Sequence, residues 1–195
     1  MHARGAGMTG GYLVAAILAV AFLYGIWIFN TLVRQRNLVR EGWSGIDVQL
    51  RRRTDLVPNL VETVKAYAAH ERGLFEQITR LRAASLAASD VRGQEAAERE
   101  LSGAVGRLLA LKEAYPELKA NQNFLKLQDQ LSEIEDHLQM ARRYYNGSVR
   151  NLNIAIQSFP NVLIARPMGF TEAEFFQADA GETAAPGVKF ERAAS

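Results

Sequence analysis

Cysteine is absent from the 195 residues. That excludes a disulfide framework, a cysteine nucleophile, thiolate zinc sites and a lipidated cysteine anchor. Histidine occurs three times, as His2, His70 and His137, which leaves little for a His-based metal centre. Charge of one sign is missing too. The 23 Lys and Arg stand against 21 Asp and Glu, a formal net charge of +2, which by itself does not argue for a nucleic-acid partner. A Gly-rich phosphate loop is lacking, and strand-type alternation is nearly so. No cofactor and no metal are therefore expected. Only five prolines interrupt the chain, and its length suits one folded domain with an appendage.

Two things are present in quantity: one long apolar run, and helical periodicity. Gly10 to Phe29 carries no charge. Twenty residues at the helical rise span about 30 Å, the thickness of a bilayer hydrocarbon core. Tyr12, Tyr24 and Trp27 lie toward the ends, where amphipathic rings favour the interface. The run ends on bulky residues, Ile26-Trp27-Ile28-Phe29, rather than the small-x-small pattern of a cleaved signal peptide. An uncleaved single-pass anchor is the reading. Arg4 precedes the span, whereas Arg34, Arg36 and Arg40 follow it. The positive-inside rule then puts the following domain in the cytoplasm. Small residues at Gly11, Ala15 and Ala19, and at Ala21 and Gly25, have the spacing that lets helices approach closely in lipid. Self-association through that face is one option; common small residues in a span are the other.

Beyond Asn30 the sequence becomes amphipathic. Leu32, Arg36, Val39, Trp43, Ile46 and Leu50 follow steps of three and four, one face of a long helix that continues the span without a clear break. Thr31 to Asn59 holds six Arg and three acids, including the triplet Arg51, Arg52 and Arg53. On an upright helix the triplet stands roughly 30 Å beyond Phe29, which favours a partner or intramolecular pairs over lipid headgroups, with a plain solvated face as the default. Pro58 has no N–H and constrains Val57, so a kink or helix boundary is expected there. Apolar positions resume at Leu60, Val64, Tyr67, Leu74, Ile78 and Leu81, and helical order is expected to about Ser89. Ser89 or Asp90 is suited to cap a new helix, with Leu101, Val105, Leu108 and Tyr115 as its stripe. Pro116 marks another boundary. The longest run follows it, through Phe124, Leu127, Leu131, Ile134, Leu138, Ala141, Tyr145, Leu152 and Phe159.

Helices with one apolar face must bury it against one another. The fold class expected is all-α: a transmembrane helix followed by an antiparallel three- or four-helix bundle with long helices. A coiled coil is the rival use of such spacing, but short connections near Asp90 and Pro116 favour the bundle. The organisation is a short tail over 1–9, the membrane helix over 10–30, the bundle over 31–162 and a mostly irregular segment over 163–195. Phe170, Phe175, Phe176 and Phe190 make that last segment too apolar to be wholly solvated, so part of it should pack back. Fraying is expected from Ala193.

The run from Arg36 to Val61, RNLVREGWSGIDVQLRRRTDLVPNLV, resembles the LemA family. So do His70-Glu71, Ala141 to Asn146, Asn151 and the Phe159-Pro160 exit, and the resemblance extends from Thr31 to roughly Phe176. Family members usually carry alanine before the tryptophan; here Gly42 stands there, a difference read as bearing on helix stability. The resemblance implies a single membrane helix and an antiparallel bundle, and brings no established catalytic activity. It extends to a magnetosome-associated group, though nothing in this chain specifies biomineralisation. It also implies association with membrane protease or TPM-domain systems, and so a place in envelope quality control.

The candidates for chemistry are weak. Asp47, Asp55, Glu62, His70 and Glu71 could group into a carboxylate–histidine site, and they equally suit solvated helix faces. His70-Glu71 begins like a zinc-protease motif, but Leu74 occupies the place of its second histidine. The function expected is a non-enzymatic, membrane-anchored scaffold or interaction protein. A regulator or adaptor of a membrane protease is the narrower alternative, and an enzyme with an unrecognised carboxylate/His site the other. The partners expected are the lipid bilayer and a protein docked at Arg51, Arg52 and Arg53, with no nucleic acid.

Overall fold

The computed structural model describes residues 3–176, with side chains from Gly11 onward. The expectations for Met1 and His2, for Phe190 and for Ala193 onward lie outside the described residues. Among the described residues every regular element is helical: α1 (Ala3–Lys65), α2 (Arg72–Ala87), α3 (Val91–Ala110), α4 (Pro116–Lys119), α5 (Gln122–Gln157) and α6 (Val162–Ala165), with a short 3-10 helix at Leu111–Glu113. The fold is all-α, with one apolar helix at its start and several long helices forming a bundle.

The helix α1 runs unbroken through Pro58. The boundary expected there is displaced to the turn after Lys65, and the helix expected to reach Ser89 is in fact split by that turn. Proline leaves the carbonyl four residues back without its donor. That carbonyl belongs to Thr54, and Arg82 of α2 supplies the missing bond, Nε to oxygen at 2.7 Å. Burial of Val57, Leu60 and Val64 holds the same stretch in place.

The chain divides into two compact units, one formed by the segments up to Gln49 and Glu135–Phe175, the other by Leu50–Ile134 with Phe176. In the first, Ile46, Leu138, Tyr145, Val149, Leu152 and Ile156 are buried. The contact of α1 with α5 is close there. A Cβ on Gly42 would stand 2.9 Å from Tyr145 Cα, so glycine is needed for the approach of the two backbones more than for any effect on helix stability. After α5 the chain turns at a cis Phe159–Pro160 bond and forms α6. It turns again at Gly169, whose φ of 72° favours glycine, and then runs back along α5. Asn153 holds it with paired bonds, Nδ2 to Ala173 O at 3.0 Å and Ala173 N to Oδ1 at 2.9 Å. The Tyr145 hydroxyl donates to Glu174 O at 2.8 Å. Phe170 and Phe176 are buried, as a segment packing back requires, while Phe175 is partly exposed. Phe159, expected on the apolar stripe, is 81% exposed; Ile156 takes the buried position one turn earlier.

In the second unit, α2 and α3 are joined by Ala88–Asp90 and pack side by side, with Ser85 near Glu98 and Gln77 near Arg107. Asp90 is the N-cap of α3, without a side-chain capping bond. The core comprises Val57, Leu60, Val64, Phe75, Ile78, Leu101, Val105, Leu108, Phe124, Leu127 and Leu131. Pro116 starts α4 at its first turn, where its missing donor costs nothing. Asn121 caps α5 by accepting from Phe124 N at 3.0 Å, and its Nδ2 donates to the Tyr67 hydroxyl at 2.9 Å.

Candidate functional site

The arginine triplet is divided by the helix it stands on. Arg51 and Arg52 are exposed, whereas Arg53 is 8% exposed. The reason is register. Ile46, Leu50, Arg53, Val57, Leu60 and Val64 alternate steps of four and three, so Arg53 occupies a core position. Its guanidinium meets Glu98 of α3, Nη1 to Oε2 at 3.7 Å. Glu98 is itself 1% exposed, because Gln94, Glu98, Leu101, Val105 and Leu108 form the equivalent stripe on α3.

A polar cluster is built around this pair. Ser85 Oγ donates to Glu98 Oε1, and Gln94 Nε2 lies 3.4 Å from Ser85 Oγ and 3.5 Å from Glu98 Oε1. Thr54, also buried, donates through its hydroxyl to Arg51 O at 2.8 Å. Its own carbonyl takes the Arg82 bond. Two buried charges are tolerated in an apolar bundle when paired and hydrogen-bonded; here Ser85 and Gln94 serve one carboxylate oxygen of Glu98, and the other faces Arg53 as an ion pair beyond hydrogen-bond distance.

The exposed face left on this part of α1 carries Arg51, Arg52, Asp55, Asn59 and Glu62, at helical spacing. Its charges cancel, so it is a mixed surface and not a basic patch. His70 is exposed in the turn between α1 and α2, with Glu71 half-buried beside it as the N-cap residue of α2. Asp47 is half-buried in the first unit. No group of three or more His, Asp or Glu able to hold a metal ion occurs among the described residues.

In the first unit the titration of one group is perturbed. Burial raises the Tyr145 phenol above its ordinary range, and the Glu174 carboxylate raises it further. Tyr145 also packs against Trp43, with ring centroids 5.7 Å apart. Arg36 lies over the ring of Phe170, its Cζ 5.0 Å from the centroid, an arrangement favourable to a cation.

A family model described as the LemA family matches residues 42–190. The chain belongs to the LemA family. It is 27% identical to magnetosome protein MamQ 2 of Paramagnetospirillum magneticum, over 92% of this chain and 76% of that protein. It is 25% identical to magnetosome protein MamQ of Magnetospirillum gryphiswaldense, over 87% and 73% of the two chains. It is also 25% identical to protein LemA of Metamycoplasma hominis, over 86% and 78%. As a LemA protein with a transmembrane helix, it is a membrane protein. The apolar residues from Tyr12 to Leu23 are exposed in the fold, the condition of a helix meant for lipid.

Proposed function

We propose that this LemA protein is a non-enzymatic, single-pass scaffold of the bacterial inner membrane whose cytoplasmic bundle docks another protein. The observation that carries the reading is the use of the signature charges. Arg53 and Glu98 are buried and face each other, while Arg51, Arg52 and Asp55 of the same run are exposed to solvent. An arrangement of this kind supports recognition, since it presents charge without convergent groups for proton transfer or nucleophilic attack. The bundle is taken to be antiparallel, with α1, α2, α3 and α5 as its long members. The positive-inside bias of Arg34, Arg36 and Arg40 supports the cytoplasmic orientation. A membrane protease or TPM-domain protein is the partner class that the family resemblance suggests. The magnetosome setting belongs to the relatives so named.

The test is a charge reversal, Arg51→Glu with Arg52→Glu, followed by crosslinking in intact membranes and co-purification. The doubly substituted protein is expected to stay helical and membrane-bound but to lose its partner, and the wild-type complex to weaken as salt rises. An unchanged partner profile with wild-type melting removes this face from the reading. Protease applied outside spheroplasts tests the orientation, because a cytoplasmic bundle survives it.

A further inference from the structure

The bilayer span is not free of protein along its whole length. A Cβ on Gly25 would lie 3.6 Å from Ile164 Cδ1 of α6, and the Phe29 and Phe170 rings meet edge to face at 5.7 Å. Phe22, Gly25, Ile26 and Phe29 of α1 line an open groove of about 430 Å³ with Ile164 and Met168. Every lining residue is apolar. Phe22 precedes Phe29 by seven residues, about 10 Å of helix rise. The α6 segment therefore stands at the depth of the last two turns of the apolar span, and a span that crosses the bilayer carries that segment into the interface with it.

The outward side of the segment has the composition such a position requires. Phe159 is exposed, Leu163 is 63% exposed and Met168 60% exposed. From Phe159 to Thr171 the sequence contains no acid and a single charge, Arg166, which is exposed. Resting on the membrane anchor read above, we propose that Phe159 to Phe170 is a second membrane contact. It lies in the headgroup–acyl boundary beside α1, with Phe159, Leu163 and Met168 among acyl chains and Arg166 extended to the phosphates. Interfacial segments bury their apolar side by about 5–10 Å, which matches the reach of the groove, and an arginine stem can lie along lipid while its head stays wet. A second contact beside the first fixes the rotation of α1 about its axis, and so which face of the first unit is turned toward the membrane.

The absence of native cysteine makes the test direct. Single substitutions Leu163→Cys, Met168→Cys and Phe159→Cys place a nitroxide label on the full-length protein. Phe22→Cys provides the membrane reference and Leu86→Cys, on an exposed position of α2, the aqueous one. Each is reconstituted at one copy per nanodisc of phosphatidylcholine and phosphatidylglycerol, with helicity checked against wild type. Relaxation by oxygen should exceed relaxation by a water-soluble nickel chelate several-fold at 163, 168 and 22, with the reverse at 86. Labels at 163 and 168 that behave like the one at 86 overturn the proposal while the anchor stands. A label at 22 that also behaves like 86 overturns the anchor itself. Labels at 163 and 168 shielded from both reagents mean that protein covers the segment, and this too overturns the proposal. The label at Phe159, exposed and outside any helix, decides the question in the same way if either of the other two variants fails to fold.

Discussion

Replacing Glu98 with alanine should strongly destabilise the second unit. The carboxylate is buried and faces Arg53, whose side chain is 10% exposed, at 3.7 Å. Removing one member of a buried pair leaves the other charge uncompensated, at a cost of about 3–5 kcal/mol. Ser85 loses its acceptor as well, a further contribution of about 1 kcal/mol that does not simply add, since the groups act together. For a chain of this size 1 kcal/mol moves the melting temperature by roughly 2–4 °C, so a drop of about 6–20 °C is expected for the full-length protein in detergent, followed by circular dichroism. Glu98→Gln keeps the shape and an acceptor for Ser85 and should fall between the two. The informative comparison is the double substitution Arg53→Met with Glu98→Leu. Removing both charges together should recover most of the loss, and a protein as stable as wild type would agree with the behaviour of other buried pairs. A single-variant loss below about 1 kcal/mol would mean that Arg53 escapes to water when its partner is gone. A double variant as unstable as the sum of the singles would refute the electrostatic account, leaving shape as the cause.

Four further outcomes follow from the same geometry. Leu138→Ala, at a fully buried site, should cost roughly 2–5 kcal/mol, and Leu131→Ala the lower part of that range; negligible shifts in melts of both variants would break the α5 register. Gly42→Ala should destabilise, because overpacking of about 1–3 kcal/mol opposes a helix-propensity gain of about 1 kcal/mol; a raised melting temperature would mean that α1 and α5 part easily. Arg82→Ala should cost about 1–2 kcal/mol by leaving the Thr54 carbonyl unserved, and faster amide exchange around Val57 and Pro58 should accompany it. Tyr145 keeps its proton to higher pH when folded than when unfolded, so stability should be flat below the ordinary value of 10.0 and fall as pH rises above it. Tyr145→Phe should remove that part of the alkaline slope, read by melts at stepped pH.

The apolar span, the helical class and the spacing of the cores are legible in the sequence because each is a matter of period and length. The positions that mislead are those where a partner far along the chain decides the outcome. Pro58 reads as a break locally, and the reason it is not one lies 24 residues away at Arg82. The triplet Arg51, Arg52 and Arg53 reads as a cluster because the residues are adjacent, whereas a helix sends adjacent residues to different sides. The signal for Arg53 is nonetheless there. The stripe from Leu32 through Leu50, continued by one step, lands on it, and Glu98 stands on the stripe of Leu101, Val105 and Leu108. A charge of each sign at core register in two neighbouring helices is the pattern of an internal pair. Phe159 misleads because its apolarity suits the bundle stripe, although a proline follows it and ends the helix. Asn153, Gln157 and Tyr145, which bind the returning chain, give no local signal at all: each has a partner 15 to 29 residues ahead.

These placements bear on what the LemA signature is for. Within the run from Ile46 to Leu60, Ile46, Leu50, Arg53, Thr54, Val57 and Leu60 are buried, and each is accounted for by packing or by the polar cluster. A signature whose inward half is fully explained by folding cannot be taken as a reaction centre on the strength of its charges alone. The outward half, Arg51, Arg52, Asp55 and Asn59, is exposed, and exposed substitutions ordinarily change stability by less than about 0.5 kcal/mol. The two halves make opposite predictions for the same experiment. Scanning alanine through this run should lower the melting temperature at every inward position whether or not a partner exists. At the outward positions it should leave melting unchanged and alter only what co-purifies from the membrane. If outward substitutions lower melting as much as inward ones, the run serves folding throughout, and the docking face must be sought on α2, α3 or α5.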